Sequence, residues 1–519
     1  MKCKKQIALA LLCLGTKGYA NDVYSHTYFS PLPQTPLITN LTQNLLVDQA
    51  HDEGRVLNKR NVQLAVFGGK SVNTTALRDY FLFDGKQSLL MRENPVQNGG
   101  SGNNAIGDTQ DLIGSDFNIQ TVGGAQSSSI TMNPQQTCVG ASVSVRVPLN
   151  ERWWATVEIP VLHVRNDLDL VETFSANGVS QPQVNANGLI NPLTGENSPC
   201  VATMTQAFKQ SGMLYGRIDG IQKVTRIADL TLKVGYDIID RTDEYMSVYG
   251  GLIFPTGNKP QGVYMFEAIA GNGGHAGIQA GLYGQVRLQE NPKASVWFGW
   301  TFESNYLFTN TQKRSFDLYD RPWSRYLQVF KNESDRITEN ALQITPKMRT
   351  WGVNYFTQDV KVTPGYLGNF NLFASCQGDK WTGTFGMNTT VRQAEKVHLV
   401  NQWQQGPEIA ALPLYGAGNN FAGATESLRN ISVLPNAGDQ FGSFSVSITP
   451  GNAYVQSSDL DLESAAHPAA RSHTLYTNLG YYRKVLHPQY FELSGSYEFA
   501  TQNVVLNRWM VSMKFQIAF

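Results

Sequence analysis

Charged side chains recur at every second position in several stretches of this 519-residue chain whose alternate positions are apolar. Arg146, Glu158, Lys233, Asp237, Arg287, Glu303, Arg392, Glu492, Glu498, Arg508 and Lys514 fall on these polar sets, with Gln285, Lys380 and Lys484 beside them. The two signs are mixed. Such groups can pair with one another, or they can line a water-filled passage. Catalysis has thinner material. His163, His398 and His473 are candidate bases, but no nucleophile motif accompanies them, so no enzyme is expected. Neither CxxC nor HxxxH occurs, and no metal or other cofactor is expected. The acids between Gly107 and Asp116, and those of Asp459, Asp461 and Glu463, do not fit a calcium-loop pattern and read as solvated loops.

The elements that must position these charges are long strands. Trp509, Val511, Met513, Phe515, Ile517 and Phe519 alternate with Arg508, Met510, Ser512, Lys514, Gln516 and Ala518. One face is apolar and the other wetter. About 9–11 residues of this pattern suit a tilted strand crossing a bilayer, whereas a soluble strand is usually about 5–6. The same alternation runs through 139–149, 230–238, 278–288, 296–303, 380–392 and 491–499. Short polar turns at 150–151, 240–243, 290–292, 377–378 and 487–488 join the strands into five hairpins. The connections between hairpins are long, except near 501–505. A strand at 61–70 would make twelve, or fourteen if a further hairpin lies in 71–138 or 393–472.

Composition agrees with this reading. The chain is 16% charged and carries 47 Gly, 22 Tyr, 25 Phe and 9 Trp, a strand-and-turn composition rather than a helical bundle. Forty-one basic residues balance 41 acidic ones, which argues against a nucleic-acid partner. Lys2, Lys4 and Lys5 precede the apolar run 7–15, and Gly18 and Ala20 are small. This is a secretory signal pattern with cleavage expected after Ala20. No apolar run is long enough for a membrane-crossing helix.

The expected fold is therefore all-β: a transmembrane antiparallel up-and-down barrel of about 12 strands, with short periplasmic turns and long extracellular loops. The expected organisation is a signal peptide (1–20), an N-terminal periplasmic extension or plug (21–60), and the barrel (61–519). Its long loops fall near 71–138, 165–228, 307–365 and 393–472. Trp153, Trp154, Tyr245, Trp381, Tyr490 and Phe519 would form an inner aromatic belt, and Phe254, Tyr306, Phe308, Tyr366 and Trp509 an outer one. Cys138 and Cys200 both fall on the outer side, making them the disulfide candidate, while Cys376 falls at the inner end.

The closing strand, ending on Phe519, resembles that of Gram-negative outer-membrane barrels, whose C-terminal aromatic is recognised by the barrel-insertion machinery. The stretch Tyr249-Gly250-Gly251-Leu252-Ile253-Phe254-Pro255-Thr256-Gly257 resembles barrels of the meta-pathway type and, more distantly, the FadL type. These resemblances imply the outer membrane as location, its lipid as partner, and uptake of small or hydrophobic compounds. Two other readings stand beside this: a surface barrel whose loops bind a partner, and an enzyme barrel. The transported solute is not named by any residue.

Overall fold

Period-two alternation produces strands that are apolar on one side and polar on the other, and the only edge-free way to satisfy their backbones in hydrocarbon is closure. The computed structural model describes residues 25–30, 60–72, 74–83, 86–92, 112–117, 119, 127–174, 201–291, 294–319, 322–326, 328–330, 349–402, 408–409, 455–483, 485–500 and 505–519. Its barrel strands are β1 (Asn61–Ser71), β2 (Gln135–Pro148), β3 (Trp153–Asp167), β4 (Leu230–Asp240), β5 (Glu244–Phe254) and β6 (Gly277–Asn291). They continue as β7 (Ala294–Leu307), β8 (Gly365–Gly378), β9 (Trp381–Arg392), β10 (Ala470–Arg483), β11 (Gln489–Ala500) and β12 (Arg508–Ala518). Each pairs antiparallel with its neighbour in this order, and β12 closes on β1 over Asn61↔Ala518 to Ser71↔Arg508. The barrel has twelve strands. The additional described strands belong to small sheets in the loops, apart from the one at Gln222–Ile227.

Five short connections lie at the end where β1 starts and β12 finishes, termed the inner end, and the short β11–β12 connection lies at the other. The long ones lie at the opposite, outer end. One connection departs from the expected outer loop 165–228. Residues Gln222–Ile227 pair with the outer half of β3, continuing the line of β4 above a bulge at Ala228–Asp229. Pro160 on β3 explains the bulge. It has no N–H to give, and the displaced Ala228 N–H donates to its carbonyl at 2.8 Å.

The wall presents Leu64, Val143, Ile159, Val234, Phe302, Phe385, Leu493 and Met513 outward, all exposed. The alternate positions are buried inside and mostly polar. Several interior rings lie flat against the wall because the neighbouring strand carries glycine. A Cβ on Gly386 would sit 2.4 Å from the Tyr476 ring, and one on Gly235 would sit 2.1 Å from Trp154. Gly386→Val is therefore expected to force Tyr476 off its seat and destabilise the barrel by about 1–3 kcal/mol. Gly495→Ala, where a Cβ meets nothing within 4 Å, is the matched control. The urea midpoint of the folded, heat-modifiable band distinguishes the two.

Above the outer end the described loops share one hydrophobic core. Phe29, Phe81, Met91, Phe117, Phe208, Met213, Phe266, Trp323, Trp351, Val397, Leu460 and Leu506 belong to it. These residues come from the N-terminal segment and from connections leaving all around the rim, so they can meet only by converging over the mouth. The barrel carries a cap.

Candidate functional site

The interior charges are arranged as ion pairs in two sectors of the wall, one on β2–β7 and one on β11–β12, with β1 between them on one side and β8–β10 on the other. On the β2–β5 wall, toward the inner end, Arg146 lies 4.0 Å from Asp237 and over the Trp154 ring. Asp237 also accepts from Trp154 Nε1 (3.0 Å) and from the Tyr245 hydroxyl (2.6 Å). Further along, Lys233 lies 3.9 Å from Glu158 and 3.7 Å from Glu303. Glu303 stands on β7, three strands from β4, so this ammonium bridges part of the lumen. Glu303 accepts from the Tyr249 hydroxyl at 2.8 Å.

On the β11–β12 wall, Lys514 meets Glu492 at 2.9 Å. That carboxylate also accepts from Tyr490 and Ser494, each at 3.0 Å. Nearer the outer end, Arg508 pairs with Glu498, which accepts from Ser472 Oγ at 2.7 Å. Four cations thus face five carboxylates, and each of the nine has an opposite charge within 4.0 Å.

On β1 and β8–β10, and beside the charges of β11–β12, many inward residues are neutral amides and hydroxyls. Asn369, Asn371, Asn388, Asn478, Ser494 and Ser512 are all buried, with Gln63 and Gln516 toward the inner end. Several of their polar atoms have no protein partner: Asn371 Nδ2, Asn388 Oδ1, both amide atoms of Asn478 and of Gln516, and Ser512 Oγ. Buried groups of this kind are ordinarily satisfied by water or by a bound solute. Tyr245, Tyr283, Phe373 and Tyr476 form a lumenal aromatic cluster.

Two of the eleven charges named from sequence lie at the ends of this lining. Arg287, at the inner end of β6, lies over the ring of the buried Trp297 opposite it and pairs with Glu290 (3.0 Å) across a register shift. Arg392, at the outer end of β9, belongs to the base of the cap. Lys380 is exposed in the β8–β9 turn, and Lys484 lies outside the described residues. The aromatic belts need correcting. Trp154, Tyr245 and Tyr490 are buried in the lumen, because their parity faces inward and their polar atoms serve the carboxylates there. Trp153, Trp381 and Phe519 face out at the inner end, and Phe254, Phe308, Tyr366 and Trp509 at the outer end.

Cys138 is buried near the outer end of β2, and Cys376 is exposed near the inner end of β8. Cys200 and the acids at 107–111 lie outside the described residues. Asp461 spends its carboxylate on the backbone N–H groups of Glu463 and Ser464. The three candidate bases are not brought together. His163 and His473 face outward on β3 and β10, bonded to Thr225 (2.7 Å) and Thr389 (2.9 Å), and His398 pairs with Lys361 in a loop sheet.

The base of the cap holds a buried polar knot that sequence reading missed, since its members are scattered over six segments. Glu395 sits between Arg392 (2.5 Å) and Arg314 (3.4 Å) and accepts the His467 N–H at 3.1 Å. The two guanidinium groups hold its carboxyl down at about 2 despite burial. Arg314 also lies over the Tyr28 ring, and Arg392 donates to the Ser30 carbonyl. The segment 25–30 is held further by Ser25 to Asp317 (2.9 Å), Thr27 N–H to Ser464 (2.8 Å) and His26 stacked on Tyr80. Burial keeps three histidines neutral: His26 and His275 are lowered to about 4, and His467 to about 3.

No family model matches the sequence, and no curated protein matches it. Among solved structures, the chain is similar to an outer membrane channel from Pseudomonas putida F1, at 7% identity over 89% of this chain and 96% of that one, with a TM-score of 0.35. It is similar to a FadL homologue of Pseudomonas aeruginosa, at 10% identity over 89% and 90%, with a TM-score of 0.29. It is also similar to the toluene transporter TbuX of Ralstonia pickettii, at 8% identity over 89% and 90%, with a TM-score of 0.25. At these scores the superpositions carry no functional argument. The barrel stands on the register of its own strands.

Proposed function

We propose that this protein is an outer-membrane conduit for small polar solutes, closed at rest by its extracellular cap. The observation that carries the reading is the lumen lining. Its charges are paired locally, which leaves a neutral wall of amides and hydroxyls whose buried polar atoms require water or solute. A fatty chain would leave those groups unsatisfied, so the polar wall disfavours a lipid conduit. The exposed apolar wall, with aromatic residues at both ends, supports placement in a membrane. Within the segment 21–60, the described residues Ser25–Ser30 support the plug alternative over the periplasmic extension. Ser25–Ser30 packs at the outer mouth, whereas β1 starts at the inner end. The partner-binding reading has less support, because the described parts of the loops spend their large apolar side chains on one another.

Liposome swelling tests this. Vesicles carrying the protein with Ser25–Ser30 deleted are expected to swell in arabinose several times faster than vesicles carrying the intact chain, and to exclude a trisaccharide. Equal rates for the two proteins, or none above empty vesicles for either, would sink the proposal.

A further inference from the structure

We propose that the outer ends of β1–β3 and the adjoining strand Gln222–Ile227 form a binding surface for a phosphorylated, multiply acylated lipid of the outer leaflet. The inference rests on the outer-membrane reading above.

The argument begins with register. Lys70 pairs with Thr137, Thr137 with Arg165, and Arg165 with Lys223, so these four form one continuous row across the sheet. Their parity points out of the barrel, and Lys70, Arg165 and Lys223 are exposed. Strands lie about 4.8 Å apart, so the row spans roughly 14 Å. Trp509 flanks Lys70 on β12.

The rows beneath change character in step. The next comprises Gly68, Val139, His163 and Thr225, and the one below it Val66, Ala141, Val161 and Ile227. Val66, Val139, Val161 and Ile227 are all exposed. Within two steps toward the inner end, the surface passes from cationic through polar to apolar. An anionic headgroup above acyl chains has the same profile.

The charges are also poorly compensated within the protein. Arg165 and Lys223 are directly cross-strand, and like charges so placed repel. Arg165 has Asp167 at 3.7 Å. Among the described residues, no carboxylate lies within ion-pair distance of Lys70 or Lys223. A phosphate over the row would offset that repulsion and accept hydrogen bonds from the guanidinium group.

Arrangement elsewhere on the rim differs. Phe254, Phe308 and Tyr366 occupy the outer ends on the side of β5–β8. The cationic row is therefore a local feature of one sector rather than a general property of the rim.

The test is native mass spectrometry of the full chain released from detergent, with hexa-acylated, bis-phosphorylated lipid A as the probe. Comparisons are the same lipid stripped of phosphate, and the variant Lys70→Gln/Arg165→Gln/Lys223→Gln. Each cation near a membrane surface is worth about fivefold in affinity, so the triple variant is expected to bind roughly a hundredfold more weakly. The dephosphorylated lipid should bind both proteins at the level of the variant. Equal retention of lipid A by wild type and variant, or of the two lipids by wild type, would overturn the inference. Heat-modifiable migration and insertion into phosphatidylethanolamine vesicles are scored on the same samples. Loss of those would count against the membrane reading itself, while their retention with no lipid preference would count against this surface alone.

Discussion

Acidification from pH 7 to about 4.5 is expected to open the cap while the barrel stays folded. The sign follows from three buried histidines. His26 and His275 are lowered to about 4 and His467 to about 3, from an ordinary value near 6.5. The released cap binds protons that the closed cap refuses. Their contribution to closure is therefore complete above pH 6.5 and declines as pH falls from 6.5 toward 4. Each histidine loses about 1.4 kcal/mol per pH unit across that window. Asp229 and Asp461, both raised to about 6 chiefly by burial, act the other way as pH falls through 6, so the three histidines set the sign only by outweighing these two.

The groups facing them act unequally. Glu395 favours a proton on His467, and Arg392 opposes one. Glu395 itself, held at about 2, contributes closure above its ordinary value and loses it only as pH falls through about 2, so it is not the trigger near pH 5. Limited proteolysis should cut the loops at pH 4.5 and spare them at pH 7, leaving a protected barrel core. The variant His26→Gln/His275→Gln/His467→Gln should flatten the pH dependence. Resistance to proteolysis that is unchanged down to pH 4 would contradict the assignment.

The second large effect concerns Lys233. Its ammonium is shared by Glu158 and Glu303 inside the barrel. Lys233→Met takes the shared cation from both buried carboxylates, at a cost of about 3–5 kcal/mol. The urea midpoint should fall accordingly, and the heat-modifiable band should be lost at a lower denaturant concentration. The combined variant Lys233→Met/Glu158→Gln/Glu303→Gln should recover most of the loss, since it removes the uncompensated charge rather than only the partner. Equal midpoints for Lys233→Met and wild type would mean that the three groups are solvated independently, as in a wide open pore.

The barrel was legible because its information is local. Alternation such as that of 508–519 and a turn such as His487-Pro488 each lie within a few residues, and their chain order sets the topology. The lumenal charges followed from the same parity. Arg287 keeps that parity opposite the buried Trp297, and a register shift beyond it brings Glu290 within 3.0 Å. Trp153 and Trp154 show the limit of reading aromatics by position, since adjacent residues on a strand face opposite sides and only one can meet lipid.

The cap was not legible. Phe29, Trp323 and Leu460 come from three segments more than a hundred residues apart and share no period. Ser25 meets Asp317, and Arg314 meets Glu395, only because the closed barrel brings all the outer loops to one mouth. The bulge at Ala228–Asp229 had one visible cause, Pro160 within a strand, but its position on the partner depends on register.

The most direct test of a capped, polar conduit is single-channel recording of the protein in a planar bilayer at pH 7 and then at pH 4.5. The account predicts near silence at pH 7 and stable ohmic steps after acidification, with steps already present at pH 7 when Ser25–Ser30 is deleted. Large steps from the intact chain at pH 7 would show that the cap does not close the mouth. Silence from every form, while each remains folded and inserted, would show that the lumen conducts nothing.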